Sequence, residues 1–274
     1  MTQSNSQTTM GFVIQYNLLS NDLMFAVKDA VECLPHTFVG LIPFSREITS
    51  NKPIEGLNHI PYGSTSFVEA AIALGWKGLS FDVENFSYRT ACANRNDMLN
   101  GGNILSAKDM VEYLKTRNEE ENIFMRPAHD LKQFSGSVYS VKEAADFLID
   151  TMTCASSGSY KIEPDLLIVV AVPRNILIEW RWFVVGGKVI DGSMYRRNGQ
   201  LTKEHVNEMA GYSQYCQAQE MADKWLPNAC CVMDTALLDS GEMKVIEFNC
   251  INGSGFYDHN IKKILTAWSR HYNG

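Results

Sequence analysis

Three serine-led helix starts constrain the first half of the chain more than any other feature. Ser66-Phe-Val-Glu69, Ser106-Ala-Lys-Asp109 and Ser140-Val-Lys-Glu143 each place a hydroxyl three residues ahead of a carboxylate. In a capping box these two groups accept from amides that a first helical turn leaves without partners. Strand-like or turn-like stretches precede each start. Further upstream, Gly11–Tyr16 and Thr37–Ile42 read as strands around a helix over about Asn21–Leu34. Alternation of this kind predicts an α/β arrangement through about residue 150.

The rhythm changes after Cys154. Ala155–Tyr160 reads as a small-residue loop and Asp165–Val172 as a β-rich run. Ile176–Tyr195 holds two strand patterns joined by Gly186-Gly187, a hairpin signal. A helical stretch is predicted over about Lys203–Lys224, then strands at Cys230–Leu238 and Met243–Asn249 around the turn Asp239-Ser-Gly-Glu242. A last helix covers about Asp258–His271. The best candidate for a domain junction is Asn100-Gly-Gly-Asn103.

At about 150 residues per domain, 274 residues suggest roughly two domains. A chain that is 45% hydrophobic and 20% charged can bury a core, which excludes a disordered or fibrous polymer. With 24 basic and 31 acidic residues the net charge is −7, which argues against a broad nucleic-acid face and leaves room for a local basic cleft. Seven cysteines without a Cys-x-x-Cys pair fit neither a zinc ribbon nor a disulfide framework. Free thiols in a reducing compartment are the simplest reading. Met1–Met10 lacks the basic and apolar regions of a signal peptide, and the longest apolar run, Leu166–Pro173, is far short of the ~20 residues that span a bilayer. The expectation is a soluble cytoplasmic protein with no membrane partner.

Several familiar chemistries are missing. There is no Gly-x-x-x-x-Gly-Lys-Ser/Thr loop, no Gly-x-Gly-x-x-Gly and no Gly-x-Ser-x-Gly elbow. The histidines never reach a metal-ligand spacing. What stands out is Lys244-Val-Ile-Glu-Phe-Asn249, where strand alternation sets Glu247 and Asn249 on one face. Two oxygen-bearing side chains there suit a hard cation such as Mg²⁺ beside nucleotide phosphates, and Asp234 on the preceding strand adds a third oxygen. An ordinary solvent-facing sheet surface gives the same pattern. In Ile178-Glu-Trp-Arg-Trp-Phe-Val-Val185, Glu179 and Arg181 share one face of an otherwise apolar strand, either as charges put to use or as a structural ion pair. Tyr195-Arg196-Arg197 ends the partner strand and brings guanidinium forks suited to phosphate. Finally, a strand delivers Arg126, Pro127 breaks it, and a loop carries Lys132 and Gly136. Such a loop can fold over phosphates or can be a plain connection.

In this order, these segments resemble the ATP-grasp superfamily. They are most similar to its divergent clade named for two arginines and a lysine, common in phage and bacterial genomes. Glu179-Trp180-Arg181 matches that clade's Glu-aromatic-Arg motif, Tyr195-Arg196 its second arginine, and Glu247-Phe248-Asn249 its acidic-Phe-Asn metal motif. Phe124-Met-Arg-Pro127 is similar to the superfamily's Val-Lys-Pro strand with Arg in place of Lys, so either Arg126 or Lys132 answers to the clade's lysine. The resemblance covers about Ile123–His271. Ile60-Pro-Tyr-Gly-Ser64 and Gly75-Trp-Lys-Gly-Leu-Ser-Phe-Asp82 are similar to the region that precedes it in the clade.

The resemblance implies an α/β (α+β) ATP-grasp fold, two lobes clamping a nucleotide behind an N-terminal pre-ATP-grasp α/β domain. The expected division is residues 1–100, then an N-lobe at 101–172 and a C-lobe at 173–274. Backbone groups of Val170, Ala171 and Val172 would meet adenine. Arg126, Lys132 and Arg181 would neutralise the phosphates of ATP, with Glu179 also on the nucleotide side. Asp234, Glu247 and Asn249 would hold Mg²⁺, and Arg196 would stand near the transferring phosphate or the carboxylate substrate. The implied activity is ADP-forming carboxylate–amine ligation through an acyl phosphate, on a peptide, protein, amino acid or small amine. A eukaryotic translation-initiation assembly factor belongs to the same clade, so the rival expectation is an ATP-binding assembly or interaction module without turnover. Gly253-Ser-Gly-Phe-Tyr257 either shapes an acceptor pocket or is a glycine-bent loop. Asp258 and His259 are candidates to activate an amine, and His259 alternatively caps or packs the last helix.

Overall fold

Helix entrances show most directly how the local sequence is used. The computed structural model describes residues 9–42, 45–50, 58–129, 133–153 and 161–274. The predicted loop at 155–160 lies outside them. The first sheet contains β1 (Gly11–Gln15), β2 (His36–Leu41), β3 (Ile48–Thr49) and β4 (His59–Tyr62), in the order β3-β2-β1-β4. β1 pairs in parallel with both β2 and β4, setting Phe12 opposite His36 and Ile60. Parallel neighbours need a crossover, and α1 (Asn21–Val31) provides it between β1 and β2.

α2 (Thr65–Ala73) follows β4. Its cap is Ser64, whose Oγ accepts from the Phe67 amide at 3.2 Å, and not Ser66 as the capping-box spacing predicts. The turn forms as soon as β4 ends: the Gly63 amide donates to Asn252 O and the Ser64 amide to Gln15 Oε1, so the helix starts two residues early. The other two boxes cap where expected. The Ser106 hydroxyl accepts from the Asp109 amide and donates to its carboxylate. Ser140 and Glu143 exchange both bonds of the motif, each side chain accepting from the other's amide.

After α3 (Tyr88–Asn94), the second sheet is built from β5 (Asn103–Ser106), β6 (Asn122–Pro127), β7 (Ser137–Ser140) and β8 (Leu167–Ala171). Its order is β5-β8-β6-β7, and every pairing is antiparallel. α4 (Ala107–Leu114) and α5 (Val141–Thr153) pack together with it, burying Met110, Leu114, Met125, Leu148 and Ile168.

The third sheet runs β11-β10-β9-β12-β13. Its strands are β9 (Ile176–Val185), β10 (Lys188–Arg197), β11 (Gln200–His205), β12 (Cys231–Leu238) and β13 (Met243–Cys250). Gly186 and Gly187 make the predicted hairpin, both at positive φ (59° and 75°). The helix predicted from Lys203 begins only at Tyr212: Lys203 lies on β11, and α6 spans Tyr212–Lys224. The cause is a second tight hairpin at Asn198-Gly199, with φ of 47° and 76°, which returns the chain along β10. α7 (Ile261–Asn273) closes the chain.

The chain divides into two compact units. One comprises residues 1–81, 180–234 and 248–274, the other 82–179 and 235–247. The chain passes between them within β9, β12 and β13. The first has a core of Phe12, Ile14, Ile60, Phe183, Val232 and Trp268.

Candidate functional site

In the first unit, Arg181 lies on β9, flanked in sequence by the buried Trp180 and Trp182. Its Nε donates to Asp234 Oδ1 at 2.9 Å and its Nη2 to Oδ2 at 2.7 Å, a bidentate pair across neighbouring strands β9 and β12. The Arg181 side chain is 12% exposed and that of Asp234 2%. Asn249 on β13 donates to Asp234 Oδ2 at 3.1 Å, so the three predicted residues Arg181, Asp234 and Asn249 come together. Burial alone would lower the Arg181 pKa. The charge and hydrogen bonds of Asp234 outweigh it, and the net shift is upward.

Aromatic rings cover this pair. The Arg181 guanidinium lies 4.8 Å from the Tyr257 ring centroid and 5.8 Å from that of Tyr195. The two tyrosines stack on each other at 5.2 Å and 11°. Lys203 Nζ reaches the same Tyr257 ring at 5.8 Å. Arg196 stands exposed on β10, opposite Leu201, at a bulge in the β10–β11 pairing.

Asp258 and His259 both bond to backbone groups outside the last helix. Asp258 accepts from the His205 amide at 3.1 Å. His259 Nδ1 meets the carbonyl of Phe256, and Nε2 meets Arg181 O at 3.1 Å. Burial lowers its pKa, which favours the neutral ring.

In the second unit, Arg126 on β6 pairs with Glu247 on β13, Nη1 to Oε2 at 2.8 Å. Its guanidinium sits 5.0 Å from the Tyr88 ring centroid. Tyr88 is buried, and its hydroxyl accepts from the Asn100 amide at 2.9 Å. Burial pushes the phenol pKa well up despite that bond and the nearby Arg126. Gly136 packs closely on β6: a Cβ would meet Phe124 Cζ at 2.7 Å and Arg126 Cβ at 3.3 Å, so a larger residue would have to displace the Phe124 ring. Lys132 falls outside the described residues.

Val170 and Ala171 occupy the central strand β8, Val170 opposite both Asn103 and Met125, and Val172 lies exposed just beyond its end. All three border a cleft of about 180 Å³ that also touches Gly101, Gly102 and Arg117. Glu179 is buried on β9.

Two residues of these units escape the sequence motifs. Tyr88 bears no motif and is far from Arg126 in the chain. Asn252 is fully buried and satisfied on every side: Nδ2 donates to Pro61 O and Gly78 O, and Oδ1 accepts from the Ser80 amide. It thereby joins the chain after Asn249 to the two upstream segments singled out by resemblance.

Asp234, Glu247 and Asn249 offer hard oxygen donors, the chemistry Mg²⁺ selects. Among the described residues no three His, Cys, Asp or Glu side chains gather closely enough to cage a metal on their own. A cation on Asp234 and Asn249 of the first unit would take its remaining oxygens from other donors, the usual state of protein-bound Mg²⁺.

Over residues 104–267 the chain matches the model of an ATP-grasp domain family, the second family of the clade named for two arginines and a lysine. No curated protein matches it by sequence. Its fold is similar to that of D-cycloserine synthetase DcsG, with a TM-score of 0.59 at 10% identity, covering 97% of this chain and 98% of that one. It is also similar to a RimK domain protein ATP-grasp from Sphaerobacter thermophilus, with a TM-score of 0.57 at 9% identity over 96% and 99% of the two chains. The ATP-grasp ligase PsnB complexed with minimal precursor gives 0.56 at 13% identity over 97% and 99%. At these identities the structural likeness is one of fold, and it agrees with the fold class the motifs imply. With the family match spanning more than half its length, the chain belongs to the ATP-grasp domain family, in the second family of the two-arginine-and-lysine clade.

Proposed function

We propose that this chain is an ATP- and Mg²⁺-dependent carboxylate–amine ligase that forms ADP by way of an acyl phosphate. The observation that carries the reading is the pairing of arginines with the carboxylates expected on the metal side. Arg181 holds Asp234 and Arg126 holds Glu247, in a chain of the ATP-grasp family. Phosphoryl transfer needs positioning and charge neutralisation more than a protein nucleophile, and these side chains offer that.

In this reading Arg126, Arg181 and Lys132 face the ATP phosphates, with Glu179 on the nucleotide side. Backbone groups of Val170, Ala171 and Val172 receive adenine. Asp234, Glu247 and Asn249 hold Mg²⁺, which when bound supplies positive charge to the phosphate oxygens. Arg196 serves the transferring phosphate or the substrate carboxylate. In the structure Arg181 pairs with Asp234 and Arg126 with Glu247. Phosphate oxygens would serve these arginines and Mg²⁺ the carboxylates, so that each charge would keep an opposite partner. The substrate carboxylate takes the γ-phosphoryl group as ADP leaves, and the amine then displaces phosphate from the acyl carbon.

The division at 1–100, 101–172 and 173–274 is carried forward as the functional layout, supported by one sheet falling in each span. An amino acid or peptide is the favoured substrate class. Fold neighbours include a D-alanine–D-alanine ligase and PsnB with its minimal precursor. A reducing, cytoplasmic setting is supported by thiols outside any disulfide at Cys33, Cys92, Cys216 and Cys230. Among the described residues no helix is long and apolar enough to cross a membrane.

The test is calorimetric binding of ATP with Mg²⁺, followed by ADP release screened over amino acids and peptides. Binding should be lost in the Asp234→Ala/Glu247→Ala double variant, and ADP release should require both a carboxylate and an amine. Unchanged ATP binding in the double variant would refute the metal assignment. A stoichiometric protein partner without ADP release would favour the assembly-factor alternative.

A further inference from the structure

We propose that Tyr257 is a positioning residue for Arg181, its ring fixing the guanidinium plane in which Arg181 grips Asp234. The functional consequence rests on the ligase reading; the geometric claim rests on the ion pair alone.

The first observation is where the backbone strain falls. In the loop Gly253-Ser-Gly-Phe-Tyr257 neither glycine takes a positive φ; Tyr257 does, at 41°. A bulky residue stays in that region only when its surroundings over-determine it. They do so here from the N-terminal side. Phe256 is buried, stacked on Phe183 at 5.3 Å and 17° and tilted against Tyr62 at 4.9 Å. The Tyr62 hydroxyl donates to Ser254 O at 3.0 Å, and the Ser254 hydroxyl to Cys250 O at 2.8 Å. With Phe256 driven into the core, the left-handed turn at the next residue sends the Tyr257 ring the other way, onto Tyr195 and against Arg181.

The second observation is what that ring does. Tyr257 is 38% exposed, so core filling does not account for it. Glycine or asparagine would suit the backbone better. What tyrosine adds is a π face, and two cations use it: Arg181 at 4.8 Å and Lys203 at 5.8 Å. The loop also receives the third edge of the guanidinium, Arg181 Nη1 donating to Gly255 O at 3.4 Å. A bidentate fork works in one plane only, and rotation of Arg181 would leave the buried Asp234 carboxylate short of donors. A strained tyrosine backed by Tyr195 holds that plane.

The experiment compares the full chain with Tyr257→Phe, Tyr257→Leu and Tyr257→Asn. The asparagine variant fits the left-handed backbone, so it folds even where leucine does not. The first readout is the ¹⁵N–¹H signal of Arg181 Nε, assigned with Arg181→Lys. It should be sharp and slowly exchanging in wild type and Tyr257→Phe, and broadened or lost in the leucine and asparagine variants. The second is the calorimetric Kd for ATP with Mg²⁺, which should weaken about tenfold in the leucine and asparagine variants and be restored to within about twofold by phenylalanine. A wild-type Arg181 signal in Tyr257→Asn, or loss of the signal in Tyr257→Phe, overturns the proposal. If wild type shows the ordered signal but binds no ATP, the ligase reading falls, and the Arg181 spectra alone decide the role of Tyr257.

Discussion

Asp234 receives both arms of the Arg181 fork, at 2.9 and 2.7 Å, and also the amide of Asn249, while its own side chain is almost wholly buried. Removing one partner of such a pair leaves the other charge in a poorly solvated place. Asp234→Ala should therefore lower folding stability by about 3 to 5 kcal/mol, and Asp234→Asn by less, since the amide oxygen still accepts one bond. Denaturant titration of the three proteins checks this. A loss under about 1 kcal/mol in the alanine variant would mean that Arg181 swings out to solvent instead of staying buried.

Glu247 and Arg126 make a more accessible pair, so their exchange with ligand should be measurable in binding instead of stability. With the carboxylate neutralised in Glu247→Gln, the Arg126 guanidinium loses the Glu247 anion as a competitor of phosphate. ATP affinity measured in EDTA should rise by about 3- to 10-fold over wild type, while the gain produced by adding Mg²⁺ should shrink. Equal affinities for the two proteins in EDTA would show that the pair does not compete with nucleotide.

How much of this was legible in the sequence depends on the range of the interaction. Strand alternation was enough to put Glu247 with Asn249 and Glu179 with Arg181, because period two is local. The partner of Arg181 was not readable that way. β9 and β12 are neighbours only in the folded sheet order, with a hairpin and a helix between them in the chain. Tyr88 escaped for the same reason, arriving beneath Arg126 from α3. Two differences have local causes. Asn198-Gly199 is a strong hairpin signal that the helical spacing of the downstream residues masked. Ser64, directly behind Gly63, competes for the same cap as Ser66 and wins once the glycine amide is bound by Asn252 O.

His259 provides a pH signature for the loop around Tyr257. Burial lowers its pKa in the folded protein, so the unfolded chain binds a proton more readily. Its contribution is full above the unfolded value of about 6.5 and is lost as pH falls below it, at no more than about 1.4 kcal/mol per pH unit. The difference in stability between wild type and His259→Gln should thus be flat from pH 7 to 8 and shift against wild type between about pH 6.5 and 5. A difference that stays constant down to pH 5 would mean that His259 protonates as easily folded as unfolded.

Asn252 is the residue whose loss should reach furthest within the first unit. Its side chain is the partner of three backbone groups, Pro61 O at the end of β4 and Gly78 O and the Ser80 amide beyond α2. Alanine would leave all three without that partner in a place no solvent reaches, at about 1 to 3 kcal/mol for each buried group left unmet. Because the groups relax together, the total expected for Asn252→Ala is about 3 kcal/mol or more, not the full sum. Leucine, although nearer in shape, should fare no better, since it restores none of the hydrogen bonds. The measurement is amide hydrogen exchange at Ser80 alongside denaturant titration. Ser80 should lose protection ahead of the β1 amides if Asn252 fastens this segment locally. Loss at Ser80 and β1 together would instead make Asn252 part of the cooperative core that carries the whole unit.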